Sequence, residues 1–358
     1  MKILYGIQGT GNGHISRALE IVPLLQKRAE VDILISGSEW ELSLPFPVKY
    51  RMNGLGFIFG KKGGVDIMQT YLKMNAMQLR REIKSLSLEE YDLIISDFEP
   101  ITCWASRMQK RVCVGLSNQS VTLHPLAPKP ESSDTIGKLV LEHYAPCTHN
   151  YGFHFKRFDE SVYTPIIRKE VREEPISNKG HITVYLPSFD DERILHKLRH
   201  FSKVEFQVFS KHIKSAYREK NFWVFPLNSK TFIRSMASSN GVLCNAGFGT
   251  AAEALYLGKK MLVIPMKTQY EQACNAEVLK AMGVTVIKNL KKKNYEIISG
   301  WLSEGTPIHV AYPDETADLL DLIISRHAGK SIDNKFNSFG HDIFNNKLFP
   351  VGKFATSS

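Results

Sequence analysis

Long apolar runs are missing from this 358-residue sequence. No stretch reaches the roughly 18–20 apolar residues needed to span a bilayer. A cytoplasmic protein is therefore expected, touching the inner face of a membrane at most peripherally. Cysteine is scarce: Cys103, Cys113, Cys147, Cys244 and Cys274, an odd number with no C-x-x-C pair. That fits reduced thiols rather than a disulfide framework or a zinc site. Zinc-finger, RNP-type and basic-zipper patterns are lacking, so nucleic acid is not an expected partner. No specific protein partner is expected either. The opening MKILYGIQGTG has a basic residue before an apolar stretch, but the stretch ends in glycines after about five residues, too short for a signal-peptide core. It reads as a buried strand.

Acid is outnumbered by base, 36 to 46, for a net charge of +10. Such a surface favours solubility, and it also attracts an anion: a phosphorylated small molecule, a phospholipid or an anionic membrane face. The basic runs, Arg80-Arg81 and Lys291-Lys292-Lys293, are too short to choose.

Strand and helix patterns alternate nearly throughout. Residues 2–7, 31–36, 92–96 and 112–116 are short apolar runs ending at Gly, Ser or Asp, as in a parallel sheet buried on both faces. Ile15, Ala18, Leu19, Val22 and Leu25 form one helical face, with Pro23 as a point of kink or restart. Residues 151–180 lose the period and carry Pro165, Pro175 and Gly180, which marks a boundary. The alternation resumes with strands at 181–186, 204–209, 222–226, 241–244, 261–265 and 284–287. Between most of them lie helices at 191–199, 229–237, 250–257 and 271–281. The expected fold is α/β, two tandem Rossmann-like doubly wound domains with a cleft between them. Residues 1–165 would form the first domain, 178–326 the second and 327–358 a polar tail.

The first glycine-rich turn holds Gly9, Gly11 and Gly13, with His14 opening a helix. Small residues at a strand-to-helix turn admit a ligand to the backbone, and the helix N-terminus favours an anion. A dinucleotide fingerprint begun at Gly9 needs Gly or Ala at 14, and the second strand ends without an acidic residue. A phosphate-binding loop of the Walker type needs a lysine that this turn lacks. His14 is a candidate base for an acceptor hydroxyl; the alternative is a histidine that only hydrogen-bonds its loop. Asp97, ending a strand, either orients His14 or the acceptor, or caps the helix after Pro100.

The second glycine-rich turn is the most specific stretch. Asn245-Ala246-Gly247-Phe248-Gly249-Thr250 ends one strand, and Pro265-Met266-Lys267-Thr268-Gln269-Tyr270-Glu271-Gln272 ends the next. Gly247, Gly249 and Thr250 suit a diphosphate at a helix start. Glu253 suits two ribose hydroxyls, or closes a capping box with Thr250. Gln272 and Asn275 share a helix face with Glu271 nearby, a set suited to sugar hydroxyls or to an ordinary polar helix start.

The pattern N-A-G-x-G-T-x-x-E-A-L, followed by P-x-x-x-Q-x-E-Q-x-x-N-A, resembles the donor-binding signature of GT-B glycosyltransferases. It is similar to the group containing the peptidoglycan-precursor N-acetylglucosaminyltransferase, glycosyltransferase family 28-like, and to UDP-glucuronosyltransferases. The opening G-x-G-x-G-H is similar to the acceptor-side loop of that group. The resemblance implies that Gly247, Gly249 and Thr250 line the donor diphosphate, with Asn245 in the same donor-binding turn. It places Glu253 on the ribose, Glu271 and Gln272 at the donor sugar with Asn275 in support, Gln269 in the same donor-binding set, and His14 near the acceptor or the diphosphate. It implies a nucleotide-sugar substrate, UDP-linked, with no cofactor and no bound metal. Helix dipoles and N–H groups then stabilise the leaving diphosphate. Asn245-Ala246 departs from the His or paired glycines of many relatives, which leaves the pyrophosphate contacts open.

The expected reaction is transfer of a hexosyl or N-acetylhexosaminyl group to a hydroxyl, with inversion. A nucleotide-sugar epimerase and a non-catalytic nucleotide-sugar-binding protein are the alternatives on the same fold. The acceptor, lipid-linked or glycan, would meet loops 53–66 and 117–130. Leu55, Phe57, Ile58, Phe59, Lys61 and Lys62 suit a lipid phosphate at a membrane face, or a strand-turn buried on its own domain.

Overall fold

A computed structural model describes residues 1–39, 44–54, 59–60, 64–65, 76–131 and 134–330. Most of loop 53–66, including Leu55, Phe57, Ile58, Lys61 and Lys62, lies outside the described residues, as does the tail from 331. Among the described residues no helix is long and apolar enough to cross a membrane.

Two seven-stranded sheets form the frame. The first runs Tyr50–Met52, Glu30–Glu39, Lys2–Thr10, Leu93–Asp97, Cys113–Leu116, His149–Phe153 and Val162–Tyr163, all parallel. In the second, Tyr217–Glu219 lies antiparallel on Phe222–Pro226, and the order continues through Phe206–Ser210, Ile182–Tyr185, Gly241–Asn245, Lys260–Ile264 and Thr285–Val286 in parallel. In each sheet the strand order reverses beside the first strand. Lys2–Thr10 meets Leu93–Asp97, and Ile182–Tyr185 meets Gly241–Asn245. A doubly wound sheet opens a ligand crevice at such a switch point, outside the carboxyl ends of the strands.

The apolar runs form strands because both faces of each sheet are covered. One apolar cluster joins Ile3, Ile7 and Ile15 of the first half to Phe232, Val242, Phe248 and Ala251 of the second. Separate clusters back the other faces: Leu4, Ile94 and Trp104 on the first sheet, Val184, Leu243 and Trp301 on the second.

Three elements depart from expectation. Helix Asn12–Gln26 continues through Pro23, which has no N–H to donate and so gives up one backbone hydrogen bond of the helix. The helix buries Ile21 fully where Leu19 was expected. Residues 151–180, read as aperiodic, supply strands His149–Phe153 and Val162–Tyr163 and the short helix Lys169–Glu173. The last helix, Thr316–His327, returns to the first half, although the sequence pattern placed it with the second. Arg28 pairs with both carboxylate oxygens of Asp321 (2.6 and 2.7 Å), and His327 Nε2 lies 2.8 Å from the Tyr151 hydroxyl.

Candidate functional site

The first strand runs on to Thr10, three residues beyond its expected end, and its register slips between Gln8 and Thr10. Gly9 therefore belongs to the strand. Gly11 alone turns the chain, at φ 86°, where an L side chain would be strained. Gly13 and His14 already lie in the helix.

His14 is buried at the edge of a charge cluster. Its Nδ1 lies 2.8 Å from Asp97 Oδ1. Arg17, three residues on and on the same helix face, donates from Nε to Asp97 Oδ2 (2.9 Å) and from Nη2 to Oδ1 (2.7 Å). Arg17 Nη2 also lies 2.9 Å from His14 Nδ1. An ionised carboxylate only accepts, so the tautomer with the proton on Nδ1 avoids setting a lone pair against Asp97. Nε2 then carries the free lone pair, and it has no hydrogen-bond partner among the described residues. Burial alone would raise the Asp97 carboxyl; the Arg17 charge, with the hydrogen bonds from His14 and Arg17, outweighs it and holds Asp97 below the usual carboxylate range.

Asp97 does not cap the following helix. Glu99 does, accepting from the N–H groups of Ile101 (2.8 Å) and Thr102 (2.6 Å) and from the Ser36 hydroxyl (2.6 Å). Phe98 separates the two carboxylates at φ 56°, a left-handed conformation costing a non-glycine residue about 1–3 kcal/mol. Its ring stacks on Tyr144 at 4.8 Å. The reversal at Phe98 lets the two acids on either side of it serve opposite ends of the turn.

The network crosses to the second half. Arg17 Nη1 donates to Asn118 Oδ1 (2.9 Å), and Asn118 Nδ2 donates to Glu271 Oε1 (2.9 Å). Gln119 Nε2 donates to the other Glu271 oxygen (3.1 Å). Glu271 lies in the first turn of helix Tyr270–Ala281. His14, Asp97 and Glu271, far apart in sequence, thus belong to one hydrogen-bonded chain.

The second turn is built differently. Helix Phe248–Tyr256 starts two residues earlier than expected, with Gly247 as its N-cap and no side-chain cap. Thr250 is inside the helix, so it makes no capping box with Glu253. Side chains added at Gly247 or Gly249 would meet no protein atom closer than 3.9 Å. The turn is held from below. Asn245 donates to Ile264 O (2.7 Å) and accepts from Ser188 Oγ (3.0 Å). Asn275 donates to Ala246 O (3.1 Å), and Gln272 Oε1 accepts from Met266 N–H (3.0 Å). Gln269 is the N-cap residue of helix Tyr270–Ala281, with its Oε1 buried and unpaired. Glu253 is buried and held by Arg168, Nε to Oε1 (2.5 Å) and Nη2 to Oε2 (2.7 Å).

A family model described as glycosyl transferase family 1 matches residues 1–304. The chain belongs to that family. Solved structures share the transferase's fold at low identity. One is the glycotransferase of kitacinnamycin (TM-score 0.55, 12% identity, 92% of this chain and 96% of that one). Spinosyn forosaminyltransferase SpnP is another (0.52, 14%, 90% and 99%). A third is Arabidopsis thaliana UGT89C1 complexed with UDP (0.50, 13%, 89% and 98%). At these identities the likeness shows the fold alone, the GT-B arrangement of two Rossmann-like sheets. No curated protein matches the chain.

Sequence reasoning about the transferase missed Arg17, Asn118, Gln119 and Arg168. Arg17 had one local signal, its i+3 spacing from His14. Arg168 had none, since its partner lies 85 residues away.

Proposed function

We propose that this glycosyltransferase moves a hexosyl or N-acetylhexosaminyl group from a UDP-linked donor to an acceptor hydroxyl, without a bound metal and with inversion. His14 Nε2 takes the acceptor proton, and Asp97 fixes the ring and balances the imidazolium that forms. The acceptor oxygen attacks the anomeric carbon as the bond to the diphosphate breaks, and the diphosphate leaves toward the uncapped start of helix Phe248–Tyr256. Glu253 receives the ribose, Glu271 and Gln272 the sugar. Direct displacement inverts the anomeric configuration.

The observation that carries this reading is the His14–Asp97 contact of 2.8 Å with Nε2 left free. The hydrogen-bonded path to Glu271 supports it, because it ties the candidate base to the candidate donor side. The UDP donor draws support from UGT89C1, a protein of the same fold whose structure holds UDP. The finer likeness to the peptidoglycan-precursor group rests on the two motifs alone. Arg168 occupies the carboxylate that the ribose would use, so donor binding in this reading requires that pair to rearrange.

The test is binding and turnover with a panel of nucleotide sugars. UDP-sugars are expected to raise the melting temperature of wild type far more than that of Glu253→Ala. With a panel of acceptor alcohols, UDP release should depend on His14, and the product should carry the opposite anomeric configuration by NMR. Retention of configuration, or sugar isomerisation without any acceptor, would sink the mechanism.

A further inference from the structure

The cysteines that sequence spacing kept apart are brought together by the fold. Cys103 lies in helix Pro100–Met108, Cys113 opens strand Cys113–Leu116, and Cys147 precedes strand His149–Phe153. Their Sγ atoms are 3.2 Å apart for Cys103 and Cys147, and 3.9 Å for Cys113 to each of the others. These exceed the roughly 2.05 Å of a disulfide, so three separate sulfurs converge.

We propose that Cys103, Cys113 and Cys147 form a three-coordinate site for a soft, thiophilic cation of the monovalent copper class. Metal–sulfur bonds of about 2.3 Å in a planar triangle put the sulfurs about 4 Å apart. Two edges already match, and the third opens by a small side-chain rotation. Among the described residues this cluster holds three thiols and no fourth His, Asp or Glu. A closed zinc site wants four ligands, and hard cations want oxygen, whereas thiolates select soft ions.

The surroundings hold the ligands in place. The Thr148 N–H (2.9 Å) and hydroxyl (2.7 Å) donate to Cys113 O, and the Cys113 N–H donates back to the hydroxyl (3.0 Å). A side chain at Gly115 would come within 3.1 Å of Cys147 Sγ, so glycine there leaves the sulfur its room. Cys103 and Cys113 are buried and Cys147 half-buried, which makes Cys147 the entry point. Loading replaces S–H with S–metal bonds and releases the protons to solvent, with no electron transferred. Uptake should therefore tighten as pH rises.

The test titrates the reduced full-length chain anaerobically with monovalent copper against a chromophoric copper(I) chelator. One ion per chain should be withdrawn, with a thiolate-to-copper absorption band and a raised melting temperature. Cys147→Ser, the least buried of the three, should lose at least ten-fold in affinity while keeping its circular dichroism spectrum. Cys274→Ser, outside the cluster, should bind as wild type. Equal uptake by both variants, no uptake by wild type, or tighter binding of zinc than of copper overturns the site. A Cys103–Cys147 disulfide found by mass spectrometry after mild oxidation, with no copper uptake by the reduced chain, also overturns it.

Discussion

The two glycine-rich turns stand at equivalent switch points of their sheets but are finished differently. At the first, the polar groups already satisfy one another: His14, Asp97, Arg17 and Asn118 are buried and mutually bonded. At the second, the helix start has no side-chain cap, and its glycines face open space. A site that moves a proton needs its charges fixed beforehand, since reorganising them during reaction costs rate. A site that takes up an anion gains from donors left for the ligand to complete. The same topology thus carries a preorganised half and an unfinished half.

The sharpest break of this comparison is kinetic. His14→Ala should lower kcat by about 10²–10⁴-fold while leaving the donor dissociation constant within a few-fold of wild type. Equal losses in kcat and in donor binding would erase the distinction. Next comes the buried carboxylate. Asp97→Ala strands Arg17 in the interior and should cost about 3–5 kcal/mol of stability, read by chemical denaturation. Because Asp97 is held below its unfolded value, the stability it contributes is present at neutral pH. It fades as pH falls through the folded value.

A third expectation concerns the junction between the halves. His154 is buried with both ring nitrogens unpaired, against Phe155, Phe158 and Phe248. Burial lowers it to about 4. The unfolded chain then binds the extra proton between the ordinary value and about 4, so stability falls as pH drops through that window. The full effect is roughly 3 kcal/mol at 1.36 kcal/mol per pKa unit. Melting curves at pH 7 and 5 should show a smaller difference for His154→Leu than for wild type.

The glycines give a fourth contrast. Gly6→Ala would press on Thr102 at 2.5 Å and should destabilise by about 1–3 kcal/mol. Gly249→Ala should be neutral or stabilising by up to about 1 kcal/mol, since helix propensity rises and nothing is in the way. It should nonetheless weaken donor binding. At the bridge, Asn118→Ala should cost about 1.5–3 kcal/mol, the scale of a hydrogen bond to a charged group, and should loosen the two halves as seen by hydrogen exchange near Glu271.

Ten of the fourteen strands in the two large sheets, both glycine-rich turns and the candidate residues His14, Asp97, Glu253 and Glu271 were legible without coordinates. Hydrophobic period and glycine punctuation are local signals, and they survive in one sequence. The first strand's extra residues were not legible, because Gln8, Gly9 and Thr10 lack the apolar pattern that pairing with Ser36 and Glu39 makes unnecessary. Nor were the roles of the acids. Asp97 was read as a possible cap for the following helix, and only the left-handed turn at Phe98 gives that place to Glu99. Sequence by itself determined where a candidate base, a candidate anion seat and a polar helix start would lie. Tertiary structure decided their partners: Arg17 for Asp97, Asn118 and Gln119 for Glu271, Arg168 for Glu253, and Cys147 for Cys103. These pairs stand 80, 153, 152, 85 and 44 residues apart. No local period encodes a contact at such separation; it exists only once two sheets have folded and packed.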